Sequence, residues 1–108
     1  MAIIRGTTPT LNFHVKNELL DLNDIAEVWI TFKSKPGVST KEKTYTIEDV
    51  TIDTEENDIV LSLSQEDTLY FANTSLLVQI RVRFNNDLAY ASDIMNVELG
   101  QILKDGVI

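Results

Sequence analysis

No cysteine occurs anywhere in this chain of 108 residues. Disulfides and thiolate-bound metal are therefore excluded, although small secreted domains usually rely on them to offset a limited core. A reducing compartment or an assembly is the expected setting. Glycine and proline are sparse, at four and two residues, and no internal repeat, low-complexity tract or linker is visible. The four glycines are scattered, so no glycine-rich loop stands ready to cradle a phosphate. No apolar run approaches the roughly 18 residues that a membrane span requires. The opening Met1-Ala2-Ile3-Ile4-Arg5-Gly6 has neither a basic region nor an apolar stretch, which reads as no signal peptide.

Positive charge is scarce as well. Nine bases against seventeen acids leave a net charge of −8. Sequence-independent binding of nucleic acid depends on basic side chains that displace counterions, so nucleic acid is not an expected partner, and without an apolar run of spanning length neither is a membrane. The charge is also unevenly placed. Eight of the acids fall between residues 48 and 67, a stretch with no Lys or Arg, while four of the bases lie between residues 33 and 43. Any contact between copies is expected to set the basic stretch against the acidic one, and to weaken as salt rises.

Catalytic groups are few. His14 is the only histidine, and its strand neighbours Asn12 and Lys16 are poor partners for a general base or metal ligand. On the polar side of an edge-like strand it is most simply solvated. No Ser-His-Asp, Cys-His or paired-carboxylate arrangement has support, so no enzyme, cofactor or small-molecule substrate is expected. The run Asp53, Glu55, Glu56 and Asp58 offers the oxygen ligands that calcium takes, but not the spacing or sixth-position glycine of an EF-hand loop. A solvated hairpin turn explains it equally well.

What the chain has in quantity is β-branched side chains: nine Val, eleven Ile and eleven Thr against five Ala. These favour pleated, half-buried strands. Period-two alternation predicts strands over residues 10–15, 25–33, 43–47, 50–54, 58–64, 76–84 and 88–99. Pro36-Gly37, Glu55-Glu56-Asn57 and Asn85-Asn86-Asp87 supply turn chemistry between them. After Ser64 the period changes. Ser64-Gln65-Glu66-Asp67 fits a capping box and predicts a short helix over residues 65–71. The 88–99 strand places Asp93 beside Ala89, Ala91, Met95, Val97 and Leu99, so a bulge is expected near Ser92. The whole reads as one all-β, antiparallel sandwich of about seven strands over residues 1–108, with residues 100–108 as a tail. Val28, Ile30, Phe32, Leu61, Val78, Ile80 and Val82 are its expected core.

Two features remain on the surface. If Val28, Ile30 and Phe32 point inward, Trp29 points outward, either as an interface anchor or under cover from Arg81 or Arg83. The tail carries Ile102, Leu103, Val107 and Ile108, which either pack on their own domain or dock on a neighbour. These seven residues are the candidate interface.

Five segments carry a family resemblance: Arg5-Gly6-Thr7-Thr8-Pro9-Thr10, Ala26-Glu27-Val28-Trp29-Ile30-Thr31-Phe32, Leu63-Ser64-Gln65-Glu66-Asp67-Thr68-Leu69, Val78-Gln79-Ile80-Arg81-Val82 and Leu103-Lys104-Asp105-Gly106-Val107-Ile108. Through them the sequence resembles short prophage-encoded structural proteins of Gram-positive bacteria. More distantly, it is similar to the N-terminal immunoglobulin-like domain of the phage baseplate upper protein family. The resemblance implies an immunoglobulin-like sandwich and a virion component of the tail or baseplate. Such a component would be made in the host cytoplasm and assemble with other virion proteins or with itself. A rival class is a carbohydrate-binding or other small ligand-binding sandwich, which would grip its ligand with exposed aromatics. One outward Trp with Tyr45, Tyr70 and Tyr90 dispersed suits a protein contact better.

Overall fold

The structure is a computed structural model that describes residues 2–16, 20–34, 41–71 and 75–108. The expected turn at Pro36-Gly37 lies outside the described residues. The chain forms an all-β sandwich of two sheets with one short helix. Its strands are β1 (Ala2–Ile4), β2 (Thr10–His14), β3 (Ile25–Ser34), β4 (Glu42–Tyr45), β5 (Val50–Asp53) and β6 (Asp58–Ser62). The helix α1 (Gln65–Tyr70) follows, then β7 (Ser75–Phe84), β8 (Ala89–Ala91) and β9 (Met95–Gly100). The larger sheet runs β1-β9-β7-β3-β4 with β8 also on β7, and the smaller runs β2-β6-β5. No helix among the described residues is long and apolar enough to cross a membrane.

The long pair β3–β7 is the centre of the larger sheet. Val28 lies opposite Val82, Ile30 opposite Ile80 and Phe32 opposite Val78, all on the inner face. Leu11, Phe13, Ile59 and Leu61 oppose them from the smaller sheet and complete the core. Period-two alternation found these faces because each strand buries only one side. Ile80 and Val82 depart from expectation: they are half-buried, whereas Ile30 and Val28 across the sheet are fully buried. Both line a shallow groove with Phe13, Val15, Leu20, Ile59 and Tyr90, and at Ile80 the far side of β7 differs as well. Beside Ile30 the sheet continues into β4, but beside Ile80 it is interrupted, and Ser92 takes the place of a strand partner.

That interruption is the bulge expected near Ser92. The Ser92 N–H donates to the Ile80 carbonyl at 2.8 Å, and its hydroxyl accepts from the Ile80 N–H at 3.0 Å. One extra residue here shifts the register between β8 and β9 along β7. The expected single strand is thereby split, and its facing reverses. Ala91 and Ala89 lie opposite Arg81 and Arg83 on the outer face, while Val97 lies opposite Leu76 in the core. The one-face grouping of Ala89 and Ala91 with Val97 and Leu99 is corrected accordingly, because a one-residue insertion moves every later side chain across the sheet.

The described residues hold nine strands, against the seven or so expected. The second source of the difference is β1, which pairs in parallel with β9 and buries Ile3. A turn follows it, with Gly6 at φ +75°, a left-handed conformation that glycine adopts without penalty. Non-glycine residues take that conformation at Asn57 (φ 58°) and Asp87 (φ 67°), in the two turns whose Asn and Asp content signalled them. α1 begins as its sequence predicts. The Ser64 hydroxyl accepts from the Asp67 N–H at 3.1 Å, and the Asp67 carboxylate accepts from the Ser64 N–H at 2.8 Å.

Candidate interaction surface

The outer face of the larger sheet is built from the alternate residues of the same strands. Trp29 on β3 lies opposite Arg81 on β7, Thr31 opposite Gln79, Lys33 opposite Leu77 and Glu27 opposite Arg83. Trp29 remains 47% exposed. The Arg81 guanidinium sits 5.6 Å from the centre of its ring, close enough for cation–π attraction. Arg81 thus covers the indole in part, and the ring still presents a wide edge to solvent. Ile94, 60% exposed just before β9, lines the same shallow groove with Leu77. Sequence reasoning passed over both. Leu77 breaks the polar side of β7, and Ile94 precedes inward-facing Met95, so both signals were visible in the alternation.

Arg5 organises the tail. It is buried, at 9% exposure, and its Nε donates to the Phe71 carbonyl at 2.8 Å. One terminal nitrogen donates to the Leu69 carbonyl at 3.2 Å and the other pairs with Asp105 at 2.8 Å. A single guanidinium therefore satisfies carbonyls at the end of α1 and holds the tail to the turn after β1. Farther on, the Gln65 side-chain amide bonds both the N–H and the carbonyl of Ile108. Ile102 is half-buried, its Cδ1 near Gly6. Leu103, Val107 and Ile108 point into solvent. The tail's backbone is tied to its own domain while three of its apolar side chains face outward.

The basic stretch does not face outward as a block. Lys43 on β4 pairs with Asp67 of α1, and Lys41 donates to the Tyr70 carbonyl and lies 4.9 Å from its ring centre. Basic and acidic stretches thus meet within one chain, where β4 runs beside α1. Burial alone would raise the Asp67 pKa. Hydrogen bonds from Lys43, the Ser64 backbone, the Tyr45 hydroxyl and the Ser64 side chain outweigh it and bring the group from 3.8 down to about 2. Tyr45 is pushed well above its ordinary value, first by burial and then by the Asp67 carboxylate. A carboxyl whose pKa is lower when folded contributes stability above its unfolded value and loses it as pH falls. The urea midpoints of wild type and Asp67→Asn should therefore converge between about pH 5 and pH 2. Parallel curves would show that this carboxylate contributes nothing.

His14 has a partner that neighbours on its own strand did not reveal. Its Nδ1 lies 2.7 Å from Asp58, directly across the β2–β6 register, with the imidazole exposed and the carboxylate largely covered. Asp53 accepts from the N–H groups of Glu55 and Glu56, each at 3.1 Å, which fixes the β5–β6 turn. Among the described residues, no three His, Cys, Asp or Glu side chains converge as a metal site. The exposed aromatics do not form one platform. Trp29 is on the outer face, Tyr90 opposes inward-facing Val82 and packs its edge on Phe84, and Tyr70 ends α1 beside Lys41.

Fold and surface define a two-sheet all-β domain that shows outward apolar side chains on one sheet face and along an anchored tail. No protein-family model matches the chain, and a search of the curated proteins finds no match.

Proposed function

We propose that this chain is a structural component of a phage virion, of the tail or baseplate, that works by docking on other proteins through apolar surface. The observation that carries this reading is the tail. Polar anchors at Arg5 and Gln65 hold its course while Leu103, Val107 and Ile108 stay in water. Holding apolar side chains outward costs solvation, and burial against a partner recovers it. The resemblance of the five segments to prophage structural proteins supplies the class of assembly. A sugar-binding platform is less well supported, since Trp29, Tyr70 and Tyr90 share no face.

Particles released by induction of the prophage that carries the gene should contain the chain, detected by mass spectrometry of the purified particles. Its absence from particles with complete tails would overturn the reading. Trp29→Ala and the triple change Leu103→Ser, Val107→Ser, Ile108→Ser should each leave stability within about 1 kcal/mol, as surface changes do. Incorporation into particles should nevertheless fall in at least one of them.

A further inference from the structure

We propose that the outer face of the larger sheet, centred on Trp29 and Arg81, receives the turn at residues 53–57 of a second copy of this chain. The contact rests on the assembly reading above and names one partner for it.

Charge decides which surfaces are available. Among the bases, Arg5 is buried at the end of α1, Lys43 is paired to Asp67, and Lys41 is engaged with Tyr70. Of the other exposed bases among the described residues, Lys16 follows β2 and Lys104 lies in the tail, while Lys33, Arg81 and Arg83 share the outer face of the larger sheet. Among the described residues, Arg81 has the Trp29 ring beside it and no carboxylate in ion-pair reach. Arg83 has only a 3.8 Å approach to the exposed Asp87. Glu42 lies opposite Lys33, and Glu98 is on the outward side of β9, so the positive charge of this face is concentrated at Arg81 and Arg83, beside the Trp29 ring.

The acids are sorted in the same way. Asp67, Asp105 and Asp58 have partners within the chain, and Asp21 and Asp49 bond backbone N–H groups of the short turns at Leu22–Asp24 and Ile47–Asp49. Glu27, although on the cationic face, directs its carboxylate to the Val28 and Ile47 N–H groups. The other exposed acids, Asp24, Glu42, Glu48, Glu66, Asp93 and Glu98, stand singly, whereas at the β5–β6 turn Asp53 fixes the backbone and leaves Glu55 and Glu56 adjacent and exposed. No Lys or Arg lies anywhere from residue 48 to residue 67. The molecule therefore carries an anchored pair of carboxylates on one sheet and two guanidiniums flanking an indole on the other.

The two are matched chemically. A guanidinium presents a planar fork of donors to a carboxylate, and Arg81 is already held against Trp29, so little rotamer freedom is lost when it pairs. Trp29, Leu77 and Ile94 supply apolar surface beside the charges, which dries the pairs and strengthens them. Donor face and acceptor turn belong to different sheets, so the contact joins unlike patches of identical chains. It closes into a ring or continues as a filament.

Sedimentation velocity over a concentration series, at low and high salt, tests this on the full chain. Wild type should self-associate at low salt and weaken about tenfold or more towards 0.5 M, where exposed charges are screened within a few ångströms. The pair Arg81→Glu, Arg83→Glu and the pair Glu55→Lys, Glu56→Lys should each abolish association, and mixing the two proteins should restore it. Circular dichroism and thermal midpoints near wild type would show that both variants fold. A wild type that stays monomeric throughout overturns the contact. So does association that persists in either charge-reversed protein, or a mixture that stays monomeric. A monomeric wild type that still enters particles would leave the virion reading standing, whereas self-association by a chain absent from particles would sink that reading alone.

Discussion

Replacing Phe32 with alanine should lower the unfolding free energy by about 3–5 kcal/mol, the cost of deleting a fully buried aromatic ring. The side chain is 2% exposed, lies between the sheets opposite Val78, and meets the Tyr45 ring edge-on at 5.7 Å. Its neighbours belong to β4, β7 and the smaller sheet, so the cavity cannot be closed by moving one element. Ile30→Ala should cost about 2–5 kcal/mol. Ile80→Ala, directly across the sheet, should cost less, because Ile80 lines a shallow groove and is only half-buried. Denaturant midpoints measure all three. A near-native midpoint for the Phe32 variant would mean that the inner and outer faces of β3 are reversed.

Arg5→Met should cost about 3 kcal/mol, although the residue is charged and lies close to the start of the chain. Two carbonyls at the end of α1 would lose their donor, and leaving a buried acceptor unpaired costs roughly 1–3 kcal/mol. Asp105→Asn should cost under about 1 kcal/mol, since that carboxylate is mostly exposed and its pair is screened by solvent. The two variants separate the roles of the guanidinium. Equal losses in urea unfolding would assign its contribution to the tail instead of to the helix end.

Much of the architecture was legible because it depends on local pattern. β3 and β7 alternate cleanly, the capping box at Ser64 marked the only α-helix among the described residues, and Asp93 on an apolar face betrayed the bulge. What stayed hidden depends on residues far apart in sequence. β1 is only Ala2–Ile4, with no alternation to read, and is a strand because β9 lies beside it. Arg5 has no nearby carboxylate, and its partners come from α1 and the tail. Lys41 and Lys43 looked like a free basic surface until the fold set β4 beside α1. At the candidate interface, outward Trp29 followed from the parity of β3. The division of the tail into a tethered backbone and exposed side chains did not, since composition cannot show which polar groups anchor it.

The pairing of β1 with β9 joins opposite ends of the sequence, and it does so in parallel. On the ribosome, Ala2–Ile4 emerges long before Glu98–Gly100, its partner, which follows about a hundred residues later. Contacts of such high sequence separation form slowly, because loop closure must be paid for before pairing rewards it. Until then Ile3 has no core to enter, and Arg5 has neither the finished helix end nor Asp105 to hold. The larger sheet therefore closes at this edge last. A nascent chain stalled short of β9 would instead leave Ala2–Ile4 without strand structure and Ile3 in water, a segment open to chaperones.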